Sequence, residues 1–424
     1  MPRETPFLDI ETNDIRDAAI FLDVDGTLIA DRAKGVAENV LGKIRELAKH
    51  NTVYLCSNGS PEHAKEIAEA TQTQAVSCRK PATGRMRELS ERSKRSLVIG
   101  DKFVTDGLLA RGLHADFIKT PHVRGSDDSI ATRIVYVGDD ILWRIQAPLL
   151  LLRPWQWVKN VLVFAPPFFA GVITNPESVI RACWAFAAFS LTASVTYILN
   201  DLFDREADRL HPVKRFRPIA SGEISVWQAG VLASILTALD LFLVLALPQI
   251  AWPLVLYVVL NLVYSKWLKR VAVADVACVS LFYLLRIIVG GLAAAASLSP
   301  WIILCTLFGS LFVIIGKRRA ELERDVQRTV LAQYSKQTLD MMLVSSVTLS
   351  VISYGIWSVI GHPSSLLVYT TLFVLFAVFR TLNRMYVKPE QAEAPETLVF
   401  HDPWIVGSFL LWAMSVFVIF YSHF

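Results

Sequence analysis

The chain has 424 residues, of which 53% are hydrophobic and 19% charged, and its mean hydropathy is +0.43. These values exclude an ordinary water-soluble enzyme of this length and point to a polytopic membrane protein. The net charge of +4 is small and says little as a total, and no nucleic-acid partner is expected. The cysteines (Cys56, Cys78, Cys183, Cys278 and Cys305) are scattered without a CxxC pair, which argues against a zinc site or a disulfide framework.

The apolar residues are unevenly spread. Residues 1–140 are mixed and polar, whereas long apolar runs dominate beyond Trp155. The expected organisation is a soluble domain over 1–140, an interfacial linker over 141–157 and a membrane domain over 158–424. The opening MPRETPFLDIETND has no apolar core or small-residue cleavage site, so no secretory signal is expected and the soluble domain should stay in the cytoplasm.

In the soluble domain, AIFLDVDGTLIA (19–30) reads as a buried strand ending in DxDGT. TVYLCSNGS (52–60) is a second strand, ending at Ser57, and Lys80–Pro81 follows another short apolar piece. SLVIGDKFVTDG (96–107) is a strand ending at Asp101 and Asp106. Helices are expected between them over 36–49, 61–71 and 82–93. Strand–helix alternation implies a parallel sheet with ligands at the carboxyl ends of its strands, where all of these polar residues fall.

This order of motifs resembles the haloacid dehalogenase superfamily over about 120 residues, and no insertion large enough for a cap domain is present. The resemblance implies a Rossmann-like α/β phosphatase. Asp23 would be the nucleophile and form an aspartyl-phosphate, and Asp25 would be the general acid/base. Ser57 and Lys80 would bind the phosphoryl group, and Asp23, Asp101 and Asp106 would serve Mg²⁺. VYVGDD (135–140) is a second candidate for the last motif, with Asp101 preferred because the alternative lies late and close to the membrane. A degenerate domain kept for scaffolding or regulation is the competing reading.

Nine apolar spans follow, near 158–174, 179–199, 226–247, 250–265, 275–297, 300–316, 340–361, 364–379 and 404–422. Basic residues flank alternate ends: Arg153 and Lys159 before the first span; Arg205, Arg209, Lys214, Arg215 and Arg217 after the second; Lys266, Lys269 and Arg270 after the fourth. Lys317, Arg318, Arg319, Arg324 and Arg328 follow the sixth, and Arg380, Arg384 and Lys388 the eighth. The intervening connections, near Asn175, Pro248, Ser299 and Pro363, are nearly free of Lys and Arg. By the positive-inside rule the N-terminal domain and every even-numbered connection lie in the cytoplasm and the C-terminus outside, as in a multi-pass protein of the cytoplasmic membrane.

Span two continues into NDLFDREADRLHPVKRFRPIASG (200–222). Asn200, Asp201, Asp204 and Asp208 share one helical face. Such carboxylates repel, at about 4 Å costing roughly 1–4 kcal/mol per pair. A hard divalent cation such as Mg²⁺, shared with substrate phosphate oxygens, turns that repulsion into attraction. The following Lys214, Arg215 and Arg217 suit a diphosphate. Arg286 lies inside span five, where a charge costs about 2.5–3.5 kcal/mol and marks a functional candidate by default. Its alternative is a structural pair with an intramembrane carboxylate. Asp240, inside span three, reads as structural, and Trp155 and Trp157 as interfacial anchors.

NDxxDxxxD after span two, nine spans and a second polar motif after span four resemble the UbiA superfamily of intramembrane prenyltransferases over residues 150–424. Within it, LRPWQWVKN (152–160), residues 200–222, YSKWLKRVAVADV (264–276), LLR (284–286) and GKRRAEL (316–322) look most like the branch that makes decaprenylphosphoryl-5-phosphoribose. That resemblance implies Mg²⁺-dependent transfer of phosphoribose from phosphoribosyl diphosphate to a polyprenyl phosphate. Asp201, Asp204 and Asp208 would be catalytic and, with Asn200, hold the metal. Lys159, Asn160, Asn200, Lys214, Arg215, Arg217, Tyr264, Lys266, Lys269, Asp275 and Arg286 would contact substrate.

The second motif departs from the prenylating members. It offers Asp275 with Val279 where a partner Asp would stand, which disfavours an allylic diphosphate donor. A prenyltransferase acting on an aromatic acceptor is the nearest alternative, and a transporter with a regulatory soluble domain a distant one. The fusion suggests that the soluble domain removes the 5-phosphate from the lipid-linked product. Chain length of the lipid and oligomeric state are left open.

Overall fold

The computed structural model describes residues 4–12, 15–30, 35–58, 61–125, 129–211, 213–323, 329–361, 364–387 and 402–421. Arg324, Arg328, Pro363 and Lys388 of the expected connections, and the end of the last expected span at 422, lie outside these residues. The chain forms two compact units, one of residues 1–151 and 201–229 and one of residues 152–200 and 230–424.

The first unit is built on a five-stranded parallel sheet in the order β3-β2-β1-β4-β5. Its strands are β1 (Ala18–Asp23), β2 (Thr52–Ser57), β3 (Gln74–Ser77), β4 (Arg95–Gly100) and β5 (Asp116–Lys119). The central strand β1, AAIFLD, is buried along its whole length because helices cover both faces. Alternation then sorts its side chains. Ile20 and Leu22 join Leu55 and Ile99 in one core, and Ala19 and Phe21 join Tyr54 and Val98 in the other. Helices α1 (Glu38–Ala48), α2 (Pro61–Thr71) and α3 (Gly84–Glu91) fall within the expected helical segments. A short α4 (Leu108–Leu113) precedes β5, and a 23-residue α5 (Ile130–Leu152) follows it. α5 is unbroken across residues 140 and 141, where the sequence suggested a boundary.

Among the described residues, eight helices are long and apolar enough to cross a membrane: Pro176–Phe203, Val226–Ala246, Pro248–Lys266, Ala274–Ala293, Pro300–Glu323, Lys336–Ile360, Ser365–Val387 and Pro403–Tyr421. Their α-helical parts are α7 (Pro176–Phe203), α9 (Val226–Ala246), α10 (Ala251–Lys266), α11 (Ala274–Ala293), α12 (Pro300–Glu323), α13 (Lys336–Ile360), α14 (Thr371–Val387) and α15 (Pro403–Tyr421). The remaining expected span, 158–174, is not one such helix. An 11-residue 3₁₀ segment, Pro154–Phe164, runs into the five-residue α6 (Ala165–Phe169). Pro154, Pro166 and Pro167 each lack an N–H, which removes donors that a regular i→i−4 ladder needs. Gly290 of α11 receives this segment: a Cβ there would lie 1.9 Å from the carbonyl oxygen of Val163. Val163, Phe189, Tyr257 and Leu285 form the core around it.

Candidate functional site

In the first unit the strand ends bring together Asp23, Asp101 and Asp106, whose ligand oxygens lie within 4.8 Å of one another. Among the described residues it is the one group of three acidic, His or Cys side chains so placed. Lys80 sits among them, paired with Asp23 and, at 2.5 Å, with Asp106. Burial and then the neighbouring Asp106 push the Asp23 carboxyl well above the usual carboxylate range. Burial likewise raises Asp106, against the pull of Lys80. Burial also pushes Asp101 up, but His122, Lys102 and Tyr136 outweigh it and hold that carboxyl below its ordinary value. Burial lowers Lys80, yet Asp23 and Asp106 more than reverse this and keep it charged.

Ser57 donates to Asp25 Oδ2 at 2.5 Å, and Asp25 Oδ1 is buried without a hydrogen-bond partner. The turn after β1 depends on Gly26, with φ +81°; a Cβ there would lie 2.2 Å from Asp101 Oδ2. The sequence reading missed Thr27, which bonds Asp23 at 3.0 Å, and His122 and Tyr136, which bond Asp101 Oδ2 at 2.9 and 2.8 Å. His122 comes from the loop after β5, which no motif marked, and Tyr136 from α5, inside the alternative motif at 135–140 that was read for its aspartates. The aspartates of the alternative motif at 135–140 do not join the triad. Its Asp139 accepts the backbone N–H groups of Phe103 and Val104, each at 2.8 Å, and so anchors the turn that carries Asp106.

The same unit contains Asp201 and Asp208, both buried and both paired with Arg217, at 2.9 and 2.7 Å. Asp204 stands at the break between α7 and α8 (Arg205–Leu210), and its carbonyl accepts the Asp208 N–H. The three expected metal carboxylates therefore share one stretch, with two of them gathered on a guanidinium rather than all three on one point. Lys214 and Arg215 are exposed. An oxygen-only set of Asp201 and Asp208 drawn to a single cation suits a hard divalent ion.

In the second unit, Arg286 is buried in α11. Its Nε donates to Asn160 Oδ1 at 2.8 Å and its Nη1 to the Phe282 carbonyl at 2.6 Å. Its guanidinium lies 4.7 Å from the ring centre of Phe189 and 5.4 Å from that of Tyr283. No carboxylate among the described residues pairs with it. Lys159 bonds Gln156 at 2.7 Å. Asn200 is tied to Asn261 and Ser265 at 3.2 and 3.1 Å.

Asp275 is wholly buried, with one oxygen on Arg318 at 2.7 Å and the other on the Tyr334 hydroxyl at 2.7 Å. Both carboxylate oxygens are thus engaged by protein groups. Of its expected companions, Tyr264 is half-buried beside Phe282, Lys266 exposed and Lys269 half-buried. Asp240 accepts from Thr192 at 2.6 Å. Trp157 donates to Ser194 at 3.1 Å, while Trp155 is exposed.

Comparison with known proteins identifies the family. Decaprenyl-phosphate phosphoribosyltransferase of Mycobacterium tuberculosis is 42% identical over 217 residues, covering 49% of this chain and 72% of the relative. The enzyme of that name from Mycolicibacterium smegmatis is 40% identical over 217 residues, covering 49% of this chain and 68% of the relative. A UbiA homologue from Archaeoglobus fulgidus, solved with DMAPP and Mg²⁺, shares the fold at a TM-score of 0.50 and 20% identity, covering 65% of this chain and 99% of that one. The UbiA prenyltransferase family model matches residues 163–421, and the chain belongs to that family.

Proposed function

We propose that the membrane helices carry a phosphoribosyltransferase that moves 5-phosphoribose from phosphoribosyl diphosphate to a polyprenyl phosphate. The observation that carries this reading is the convergence of Asp201 and Asp208 on one cationic point at the end of α7, in a chain 42% identical over 217 residues to a decaprenyl-phosphate phosphoribosyltransferase. A phosphate oxygen of the lipid bonds the anomeric carbon as the bond from that carbon to the diphosphate breaks. The acceptor is already anionic, so no general base is required. Asp201, Asp204, Asp208 and Asn200 would hold a divalent ion, which supplies charge neutralisation to the departing diphosphate. Lys214, Arg215 and Arg217 add positive charge to the leaving group, and Arg286, held by Asn160, provides a desolvated cation for an anionic substrate group. Asp275, with Arg318 and Tyr334, braces the start of α11.

The basic connections favour a cytoplasmic side for the first unit and for Asp201–Asp208, in a protein of the cytoplasmic membrane. The Pro154–Phe169 segment serves as a ninth span. Eleven 3₁₀ residues at ~2 Å and five α-helical residues at ~1.5 Å give a length of roughly 30 Å, the thickness of the hydrocarbon core.

The first unit acts as a haloacid dehalogenase-like phosphatase on the 5-phosphate of that lipid product. Asp23 attacks the phosphorus and the sugar oxygen leaves with a proton from Asp25. Water then releases phosphate from the aspartyl-phosphate. Ser57 and Lys80 hold the phosphoryl oxygens, and Asp23, Asp101 and Asp106 provide a hard-cation site.

The test uses the purified full chain with Mg²⁺, polyprenyl phosphate and either phosphoribosyl diphosphate or polyprenyl diphosphate plus an aromatic acceptor, with lipid products identified by mass. Wild type should yield polyprenylphosphoryl ribose, and Asp23→Asn its 5-phosphate. Turnover only with the prenyl donor would show a prenyltransferase. The same phosphorylated product from both proteins would remove the second step.

A further inference from the structure

α5 has two unlike long faces. One face, with Asp139, Trp143, Gln146, Ala147 and Leu151, is buried. Trp143 packs on Phe103 and Phe117, and Tyr136 beside it bonds Asp101. The opposite face is apolar and exposed: Ile134 is 67%, Val137 59% and Ile141 53% accessible, with Ile130 and Ile145 on the same line. At about 100° per residue these five side chains fall within an arc of roughly 80°. Arg133 and Arg144, both exposed, lie along one edge of the stripe. The acidic residues of the helix, Asp139 and Asp140, both turn to Lys119, at 3.1 and 2.5 Å.

We infer that this face of α5 rests on an anionic lipid surface and seats the Asp23–Asp101–Asp106 site against it, so that the site takes a phosphorylated lipid headgroup. Three observations favour lipid over another protein. The stripe is apolar with a basic margin, the composition of helices that lie in a membrane interface. α5 carries four charged positions and is not among the helices able to cross a membrane. The helix ends at Leu152, directly before the apolar Pro154–Phe169 segment, so the chain itself brings α5 to the bilayer. A cavity of about 500 Å³ lies beside the stripe, lined by Asp101, His122 and Thr120 within and by Arg124, Arg133 and Val137 of the loop and α5, with Glu4 and Asp140 also on its wall near Lys119. The buried Thr120 hydroxyl there has no hydrogen-bond partner. Basic side chains next to apolar ones suit an anionic headgroup on a hydrocarbon chain. The choice of headgroup rests on the phosphatase reading; the lipid seat does not.

The full chain, reconstituted in nanodiscs of phosphatidylcholine and phosphatidylglycerol, would carry a benzophenone side chain at the position of Ile141 or, for reference, of the exposed Glu62. Irradiation should give a lipid adduct at 141 and none at 62. A crosslink from 141 to a second chain, or to the same chain without lipid adduct, overturns the seat. In the second arm, Ile134→Asp with Ile141→Asp should lower hydrolysis of the lipid-linked sugar phosphate about tenfold. Hydrolysis of p-nitrophenyl phosphate should stay at the wild-type rate. An equal loss on both substrates, or on neither, overturns the headgroup assignment. A lipid adduct with no phosphatase activity in any variant keeps the seat and removes the phosphatase reading.

Discussion

Arg286 and Asn160 form a buried pair in which the guanidinium Nε donates to the amide oxygen at 2.8 Å, with aromatic rings rather than a carboxylate around the charge. A cation so placed keeps an unspent demand for an anion. Arg286→Gln should therefore lower kcat/KM for transfer by about a hundredfold, roughly 3 kcal/mol, with little loss of thermal stability. Arg286→Lys should not restore it, because a point charge cannot keep the planar bonds to Asn160 and Phe282. Steady-state kinetics and melting curves in detergent check this. A stability loss that matches the activity loss would make Arg286 structural instead.

Arg217 occupies the point on which Asp201 and Asp208 converge, so a divalent ion bound there would compete with the guanidinium for the same oxygens. In an Asp23→Asn background, which weakens the other acidic cluster by one carboxylate, Mg²⁺ at ten times its dissociation constant should stabilise the protein by about 1.4 kcal/mol. Asp201→Asn should abolish that gain. Arg217→Gln should tighten Mg²⁺ binding while raising KM for phosphoribosyl diphosphate. Identical Mg²⁺ titrations of all three proteins would show that the ion binds elsewhere.

The N-terminal sheet and its triad were legible because a parallel sheet puts polar strand-end residues at one edge whatever the loops do. Asp23, Ser57 and Asp101 needed only strand order, and Asp106 follows in the turn just after β4. Their supports were not legible. Tyr136 lies 35 positions from Asp101 and reaches it only because α5 packs its buried face on the sheet. Asp275 illustrates the reverse failure. Its neighbourhood was read from residues close in sequence, while its partners Arg318 and Tyr334 are 43 and 59 positions away. Among the spans, hydropathy marked 158–174 correctly as apolar, but apolar content does not report backbone geometry, and the prolines there decided it.

Asp139 joins α5 to the turn bearing Asp106 through two backbone N–H groups, and its Oδ2 also accepts from the buried Lys119. Asp139→Ala should destabilise the first unit by about 3–5 kcal/mol, since it leaves Lys119 without this buried partner and two amides without acceptors. Asp139→Asn, which keeps an acceptor, should cost about half as much. Amide hydrogen exchange should speed up first over Phe103–Gly107. Unchanged protection there would show that α5 does not hold the turn.

Gly290 lets the Pro154–Phe164 segment lie against α11, and that segment supplies the Asn160 that holds Arg286. A Cβ at 290 would meet the Val163 carbonyl oxygen at 1.9 Å and its carbon at 2.7 Å, backbone atoms that cannot rotate away. Gly290→Ala should therefore push the segment off the helix, destabilising the second unit by about 1–3 kcal/mol. Transfer should fall with it, because Asn160 moves with Val163. Gly407→Ala is the control: its Cβ meets nothing within 4 Å, and it lies inside α15, where alanine is the better helix former. That variant should melt at or slightly above the wild-type temperature. If Gly290→Ala melts with Gly407→Ala and keeps full activity, the contact between Gly290 and Val163 does not position Asn160.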